Sequence, residues 1–487
     1  LQYRLFFCKS NFMLADNVRR LERTMHDARA AGYNGIVLDD YKFQILDSLA
    51  PGYFRNLASL KNSAAKLGLD LYPSVARFGY SNGILSHDPN LAEGVQVVRA
   101  PLRAQNGAAT LVAAPPMQLS GDQMVPVSRF RQYHLSVSVK TANFQAAEMR
   151  SAVLMADGGR LAYFDRLPAP TQDWTTHHVV FNSVDNDLVN IRPFGWLRGS
   201  GDYNFKDATL QEVALVNAIR REAAPLVVTS ADGATTYEEG HDFEVENHRP
   251  LGLMPRPGEF DAYHQPPRLI ILPNSRISEG ETVSVSYYHA LAVREGGVMC
   301  CLSEPTIYDV VAHQVARLQD LLQPKGFFIS IDEVRVANWC EKCRRRSMTP
   351  GKMLADAARR CIQMIRDASP SATILIWSDM FDPFHNAHEH YYIVNGDLAG
   401  SWHGLDKDVV IATWNFTARD QSLKWFASLG HSQVVAGFYD RPISEMAEWS
   451  RAAAGVPGIS GAMYTTWRDD YSQLGKFAEL MWNRIKV

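Results

Sequence analysis

The chain has 487 residues, 46% of them hydrophobic and 21% charged, which is enough to bury a large core and build one big domain with one or two smaller ones. A formal net charge of −3 supplies no global field for nucleic acid or an anionic membrane, so neither is expected as a partner. No apolar run is long enough to span a bilayer, and the chain begins at Leu1 without a basic stretch followed by an apolar one. A start without Met fits a mature or trimmed form, secreted or periplasmic with its signal peptide removed; oligomeric state leaves no mark in the sequence.

The chain opens with a β/α rhythm. Tyr3 to Cys8 reads as a short strand, Asn17 to Ala31 as a helix by apolar spacing, and Gly35 to Leu38 as a buried strand ending in Asp39-Asp40-Tyr41. A helix around Tyr53 to Leu67 then leads to a third strand, Leu69 to Tyr72, followed by a loop carrying Arg77 and Tyr80.

From about Leu91 to Ala290 the pattern changes to period-two strands and turns, as in Tyr133 to Val139 and His177 to Phe181, which predicts a β-sandwich. Its Lys140-Thr141, Asp173-Trp174-Thr175 and Phe205-Lys-Asp207 resemble recurring strand motifs of jelly-roll carbohydrate-binding modules. Trp174 and Trp196 fit sugar stacking under that likeness, and ordinary core or edge packing on base rates. A smaller all-β piece follows, from the turn-rich Thr235 to Phe243 to a last strand over Glu281 to Tyr287.

Barrel rhythm returns at Gly297. A helix over Thr306 to Leu322 leads to a fourth strand, Phe327 to Ile331, and a helix over Lys352 to Ala368 leads to a fifth, Ala372 to Trp377. The sixth spans Val409 to Trp414, the seventh Gln433 to Gly437 and the eighth Gly458 to Thr466, with helices expected between them. Eight strands remain once the all-β insert is set aside. The expected fold is therefore an α/β (β/α)8 TIM barrel interrupted after strand three by an all-β, sandwich or jelly-roll, insert. The domains fall at 1–90 and 296–487 for the two barrel parts, 91–215 for the sandwich and 216–295 for the small all-β piece.

The strand ends carry the chemistry. They read Asp39-Asp40, Arg77, Asp332-Glu333-Val-Arg335, Trp377-Ser-Asp379, Trp414, Tyr439-Asp440 and Trp467-Arg468-Asp469, all on the face where barrel enzymes hold their sites. Singly, such an Asp caps a helix and such a Trp packs a loop. Together, carboxylates that move protons, aromatics that stack on a pyranose face and few clustered cations describe a neutral-sugar pocket better than a phosphate site. Adjacent Asp332 and Glu333 on an extended strand would point to opposite sides, so both serve one site only if the strand end twists or bulges.

Six cysteines complete the inventory. Cys8 and Cys361 sit in apolar patterns and read as buried small hydrophobes. Cys340-Glu-Lys-Cys343 has the spacing that lets two thiolates reach one tetrahedral metal, and Cys300-Cys301 is predicted over the same barrel end. A structural zinc on Cys300, Cys301, Cys340 and Cys343 stands beside disulfide and free-thiol readings; no catalytic cofactor is expected.

From about Cys301 to Trp467 the sequence resembles the glycoside hydrolase family 20 β-N-acetylhexosaminidases. Asp332-Glu333, Trp377, Trp414, Tyr439-Asp440 and Trp467 follow that family's order of strand-end residues. The likeness implies exo-acting, retaining, substrate-assisted hydrolysis of a β-linked N-acetylhexosamine or related sugar in an oligosaccharide or glycan. Glu333 would be general acid and then base, Asp332 would orient the 2-acetamido group, Tyr439 would hydrogen-bond that amide, and the three tryptophans would wall the pocket. The family's His-x-Gly-Gly ahead of the pair is Ile329-Ser-Ile here, and strand eight has Trp467-Arg468-Asp469 instead of Trp-x-Glu. Asp39, Asp40 and Arg77 are accordingly the candidates for replacement sugar contacts, and Arg335, Asp379, Asp440 and Asp469 are further substrate-binding candidates. Two alternatives stay open: an ordinary retaining glycosidase with Glu333 as acid and Asp379 or Glu304 as nucleophile, and a barrel that binds glycan without cleaving it.

Overall fold

In the computed structural model, which describes residues 1–146, 151–164, 168–194, 199–246, 251–253, 256–294 and 296–482, eight parallel strands close into a barrel. They are β1 (Tyr3–Lys9), β2 (Gly35–Asp39), β3 (Asp70–Val75), β4 (Gly326–Ile329), β5 (Thr373–Trp377), β6 (Val410–Thr413), β7 (Gln433–Phe438) and β8 (Ile459–Thr465). Each is paired with its neighbours in order, β1 against β8 closing the ring. All eight expected strands are present, with ends shifted by at most three residues.

Strand alternation explains why these runs are apolar throughout. Leu5, Phe7, Val37, Tyr72, Phe328, Leu375 and Met463 fill the lumen, while Phe6, Cys8, Ile36, Leu38, Ile329 and Ile376 belong to the layer under the helices. Helices α1 (Ala15–Ala30), α2 (Pro51–Leu67), α3 (Pro305–Leu322), α4 (Pro350–Ala368), α5 (Arg419–Ser428), α6 (Glu445–Ala453) and α7 (Leu474–Trp482) supply that layer. Three of them begin with a proline, whose fixed φ suits the first helical turn and whose missing N–H costs nothing there. Between β5 and β6 no α-helix forms. Asp382-Pro-Phe-His-Asn386 and Gly396 favour turns, and the segment makes short 3-10 turns at Asp379–Phe381 and Ser401–Gly404 plus a two-residue strand, Ile393–Val394, against Val336–Ala337.

The inserted β region contains two antiparallel four-stranded sheets and a third sheet of eight strands. Buried residues from both four-stranded sheets, among them Leu135, Val137, Val153 and Ile191, belong to one apolar cluster. Strands Gly94–Gln105 and Ala108–Leu111, expected with the sandwich, instead pair with Thr282–Ala290 and Leu269–Ile271 in the third sheet. Pairing between segments so far apart along the chain cannot be read from local alternation. Trp174 is 42% exposed with the Lys206 ammonium 4.6 Å over its ring, so it is neither core nor buried edge; Trp196 lies outside the described residues. The two crossings between barrel and insert run side by side: Cys301 N donates to Leu91 O at 2.8 Å and Glu93 N to Met299 O at 2.8 Å. No helix among the described residues is long and apolar enough to cross a membrane.

Candidate active site

Strand β4 ends at Ile329, and the backbone then turns so that Asp332 and Glu333 both line one cavity. Glu333 adopts φ 49°, a left-handed conformation that a side chain with a Cβ takes only when its surroundings impose it. Two contacts impose it. The Glu333 N–H donates to Asp379 Oδ2 at 2.9 Å, and Gly79 from the loop after β3 lies so close that an added Cβ would sit 1.7 Å from the Asp332 carbonyl oxygen. The required bend at the strand tip is thus real, and Gly79 supplies the close approach that Ile329-Ser-Ile lacks.

The cavity, about 640 Å³, opens at the C-terminal end of the barrel and is lined by Phe7, Asp39, Arg77, Tyr80, Asp332, Glu333, Trp377, Trp414, Tyr439, Asp440 and Trp467, among others. Trp377 forms its floor, edge-on to Phe328 at 4.7 Å; Trp414 and Tyr439 lie parallel at 5.5 Å; Trp467 stands at the mouth, 45% exposed. Flat aromatic faces of this kind suit the C–H face of a sugar ring. Tyr439 and Asp440 both have positive φ, at 50° and 57°. That turn lets Asp440 accept from Trp467 N at 2.8 Å and from the Thr466 hydroxyl, fastening the loop that carries Trp467.

Glu333 is held by Arg335 and the Tyr80 hydroxyl, both bonded to its Oε2. Arg335 is fully buried, donates to the Tyr80 hydroxyl at 3.0 Å, and lies between the Tyr80 and Tyr392 rings at 5.2 and 5.5 Å. Burial pushes the Glu333 carboxyl up, but the Arg335 charge and the hydrogen bonds from Tyr80 and Arg335 outweigh it and keep the group below the ordinary carboxylate range. Asp332 goes the other way: burial, then the neighbouring Asp379 and Glu333 carboxylates, push it well up. Burial also raises Asp379, to about 7, against the hydrogen bond from the Glu333 N–H. Burial thus favours the protonated form of the two aspartates and Arg335 the charged form of Glu333, the reverse of the order expected for Glu333 as the resting proton donor.

Several expected contacts fall elsewhere. Asp40 points away from the cavity and accepts from Phe12 N, Lys42 N, Lys42 Nζ and the Tyr53 hydroxyl, because a buried lysine needs a carboxylate partner. Asp379 is fully buried beneath the lining, bonded to Glu333 N, Asn386 Nδ2 at 2.9 Å and Trp414 Nε1 at 3.4 Å, and does not reach the cavity where a nucleophile would act. Glu304 is away from the cavity in ion pairs with Arg221 at 3.0 Å and Lys342 at 2.8 Å, so neither proposed nucleophile is placed for that role. Asp469 pairs with Arg20 of α1 at 3.2 Å, and Arg335 acts on Glu333 from behind. Asp39 does line the cavity, 3.5 Å from Arg77, with its Oδ1 buried and unbonded.

Lys9, Tyr80, Arg294, Ser330 and Arg468 join the lining without having been singled out as sugar contacts. The expectation of few cations is corrected: Lys9, Arg77, Arg294 and Arg468 all reach the cavity. Lys9 was hidden at the end of an apolar strand. Arg294 comes from the insert, where no barrel pattern marks it.

No family model matches the chain, and no curated protein does either. Among solved structures it is similar to a chitobiase from Flavobacterium johnsoniae (9% identity, TM-score 0.44, covering 99% of this chain and 49% of that one). It is also similar to a β-N-acetylhexosaminidase from Bacteroides fragilis (9%, TM-score 0.44, 100% and 67%) and, at a lower TM-score, to a rhamnosidase from Novosphingobium sp. PP1Y (11%, TM-score 0.34, 95% and 55%). The chain thus spans about half the length of the first and third of these proteins and two thirds of the second.

Proposed function

We propose that the protein is a glycoside hydrolase that cleaves a β-linked 2-acetamido sugar with retention, the substrate's own acetamido oxygen attacking the anomeric carbon. The observation that carries this reading is the left-handed turn at Glu333, which brings Asp332 and Glu333 together into a cavity walled by Trp377, Trp414 and Trp467. Because Asp379 and Glu304 are both tied up elsewhere, a substrate nucleophile accounts for the site better than an enzymic one. Glu333 gives its proton to the glycosidic oxygen as the anomeric C–O bond breaks and the oxazolinium ring closes. It then takes a proton from the water that reopens the ring. Asp332 faces the acetamido N–H and Tyr439 its oxygen.

The opposed displacements of Asp332 and Glu333 favour one second reading, in which Asp332 donates the proton and Glu333 is the charged partner. The cations Lys9 and Arg468 at the mouth favour a substrate with a carboxylate or sulfate remote from the scissile bond.

A panel of aryl glycosides with and without a 2-acetamido group, assayed with and without a thiazoline inhibitor, tests the proposal. The expected result is hydrolysis confined to acetamido substrates, inhibition by the thiazoline, and a loss of about 10²–10⁴-fold in kcat for Glu333→Gln with ligand binding retained. Hydrolysis of plain glucosides without thiazoline inhibition overturns the acetamido mechanism. Full turnover by Glu333→Gln overturns the role of Glu333, and thiazoline binding without hydrolysis of any substrate identifies a glycan-binding barrel.

A further inference from the structure

At the edge of the barrel, away from the cavity, Cys301, Cys340, Cys343 and Glu93 each turn one ligand atom inward, all within 4.8 Å of one another. Cys301 Sγ lies 3.5 Å from Cys340 Sγ and 3.4 Å from Cys343 Sγ, and Cys343 Sγ is 3.4 Å from Glu93 Oε2. Ligands on a tetrahedral zinc at the usual bond lengths are separated by about 3.3–3.8 Å. Disulfide sulfurs lie about 2 Å apart, and three sulfurs around one point cannot all be paired. All four side chains are buried.

Glu93 is set as a ligand would be. Its Oε1 accepts from Trp339 N and Cys340 N, each at 2.8 Å, which fixes the carboxylate plane and leaves Oε2 toward the sulfurs. Its neighbours in the fold also supply the two-residue spacing: Cys340 precedes the short helix Glu341–Arg345, so Cys343 returns to the same side one turn on. Cys300 is not a member, since its thiol lies outside the group.

We propose that Glu93, Cys301, Cys340 and Cys343 bind one structural zinc ion. Thiolate-rich tetrahedral donors select zinc over magnesium or calcium, and four protein ligands leave no open position for chemistry. The ion joins three segments: Glu93 where the chain enters the insert, Cys301 where it returns, and the loop after β4. That loop also carries Arg335, the partner of Glu333, so the metal braces the support of the cavity from outside it. The geometry of Glu93 and the three cysteines is independent of whatever reaction the cavity performs.

Metal analysis of the full chain, purified in reductant without chelator, should find one zinc per chain. Replacement by Co²⁺ should give the visible bands of a tetrahedral site and a thiolate-to-cobalt charge-transfer band. Cys343→Ser and Glu93→Gln should weaken cobalt uptake, whereas Cys300→Ser should leave the spectrum unchanged. Two results overturn the proposal, neither depending on whether the variants fold: wild-type protein that is metal-free as isolated and takes up no Co²⁺ when reduced, or a Cys301 disulfide to Cys340 or Cys343 in non-reducing peptide mapping.

Discussion

Replacing Arg335 by Met removes the buried charge behind Glu333 while keeping an apolar stem of similar reach between the Tyr80 and Tyr392 rings. Two unit charges about 4 Å apart at an effective dielectric near 20 interact by about 4 kcal/mol. At about 1.4 kcal/mol per pKa unit this is a ceiling of about 3 units. The Glu333 side chain is 23% exposed to the cavity, so solvent screening reduces the expected change to about 1–2 units. The sign follows from the opposing influences. Arg335 favours the carboxylate and burial favours the acid, so without Arg335 the Glu333 pKa rises above the ordinary range. In wild type the pairing stabilises the fold above the unfolded-state pKa of a glutamate and is lost as pH falls through the depressed folded value; Arg335→Met reverses that dependence. With Glu333 as proton donor, the alkaline limb of kcat/KM moves up by about 1–2 pH units, and Arg335→Lys restores much of the wild-type profile. Titration of carboxyl-¹³C glutamate, with Glu333→Gln to assign the signal, reads the same shift without a substrate. A Glu333 pKa that stays put or falls refutes the electrostatic reasoning; a Glu333 that shifts while the kinetic limb does not assigns the proton to Asp332.

Gly79→Ala places a methyl group against the Asp332 carbonyl, so the strand tip must move. Denaturant unfolding should register a loss of about 1–3 kcal/mol, accompanied by a fall in kcat; an unperturbed variant would show that the close approach does not matter. Asp40→Asn leaves the buried Lys42 ammonium without its countercharge. It should cost about 3–5 kcal/mol, read as a lower Tm, while Asp39→Asn should change KM with little effect on Tm.

Much of the barrel was legible because each strand is a short apolar run between a helix and a polar tip, a pattern set by residues within reach of one another. Asp332-Glu333, Trp377, Trp414, Tyr439 and Trp467 could be placed at the cavity because strand direction alone puts every β-to-α junction on the same end. Asp40 and Asp469 were misplaced by the same rule, which gives the end of the barrel but not the side to which a loop residue turns.

Local sequence thus determined the eight strands, the site of the insert and the carboxylate pair, since alternation and turn residues act over a few positions. Tertiary structure alone decided the left-handed turn at Glu333, through Gly79 and Asp379, and the placing of the Tyr80 and Tyr392 rings against Arg335. It alone decided that Glu93, 250 positions from Cys343, and not Cys300, completes the cysteine cluster. Contacts of that kind depend on which chain segments the closed sheet brings side by side, and no window of residues records them.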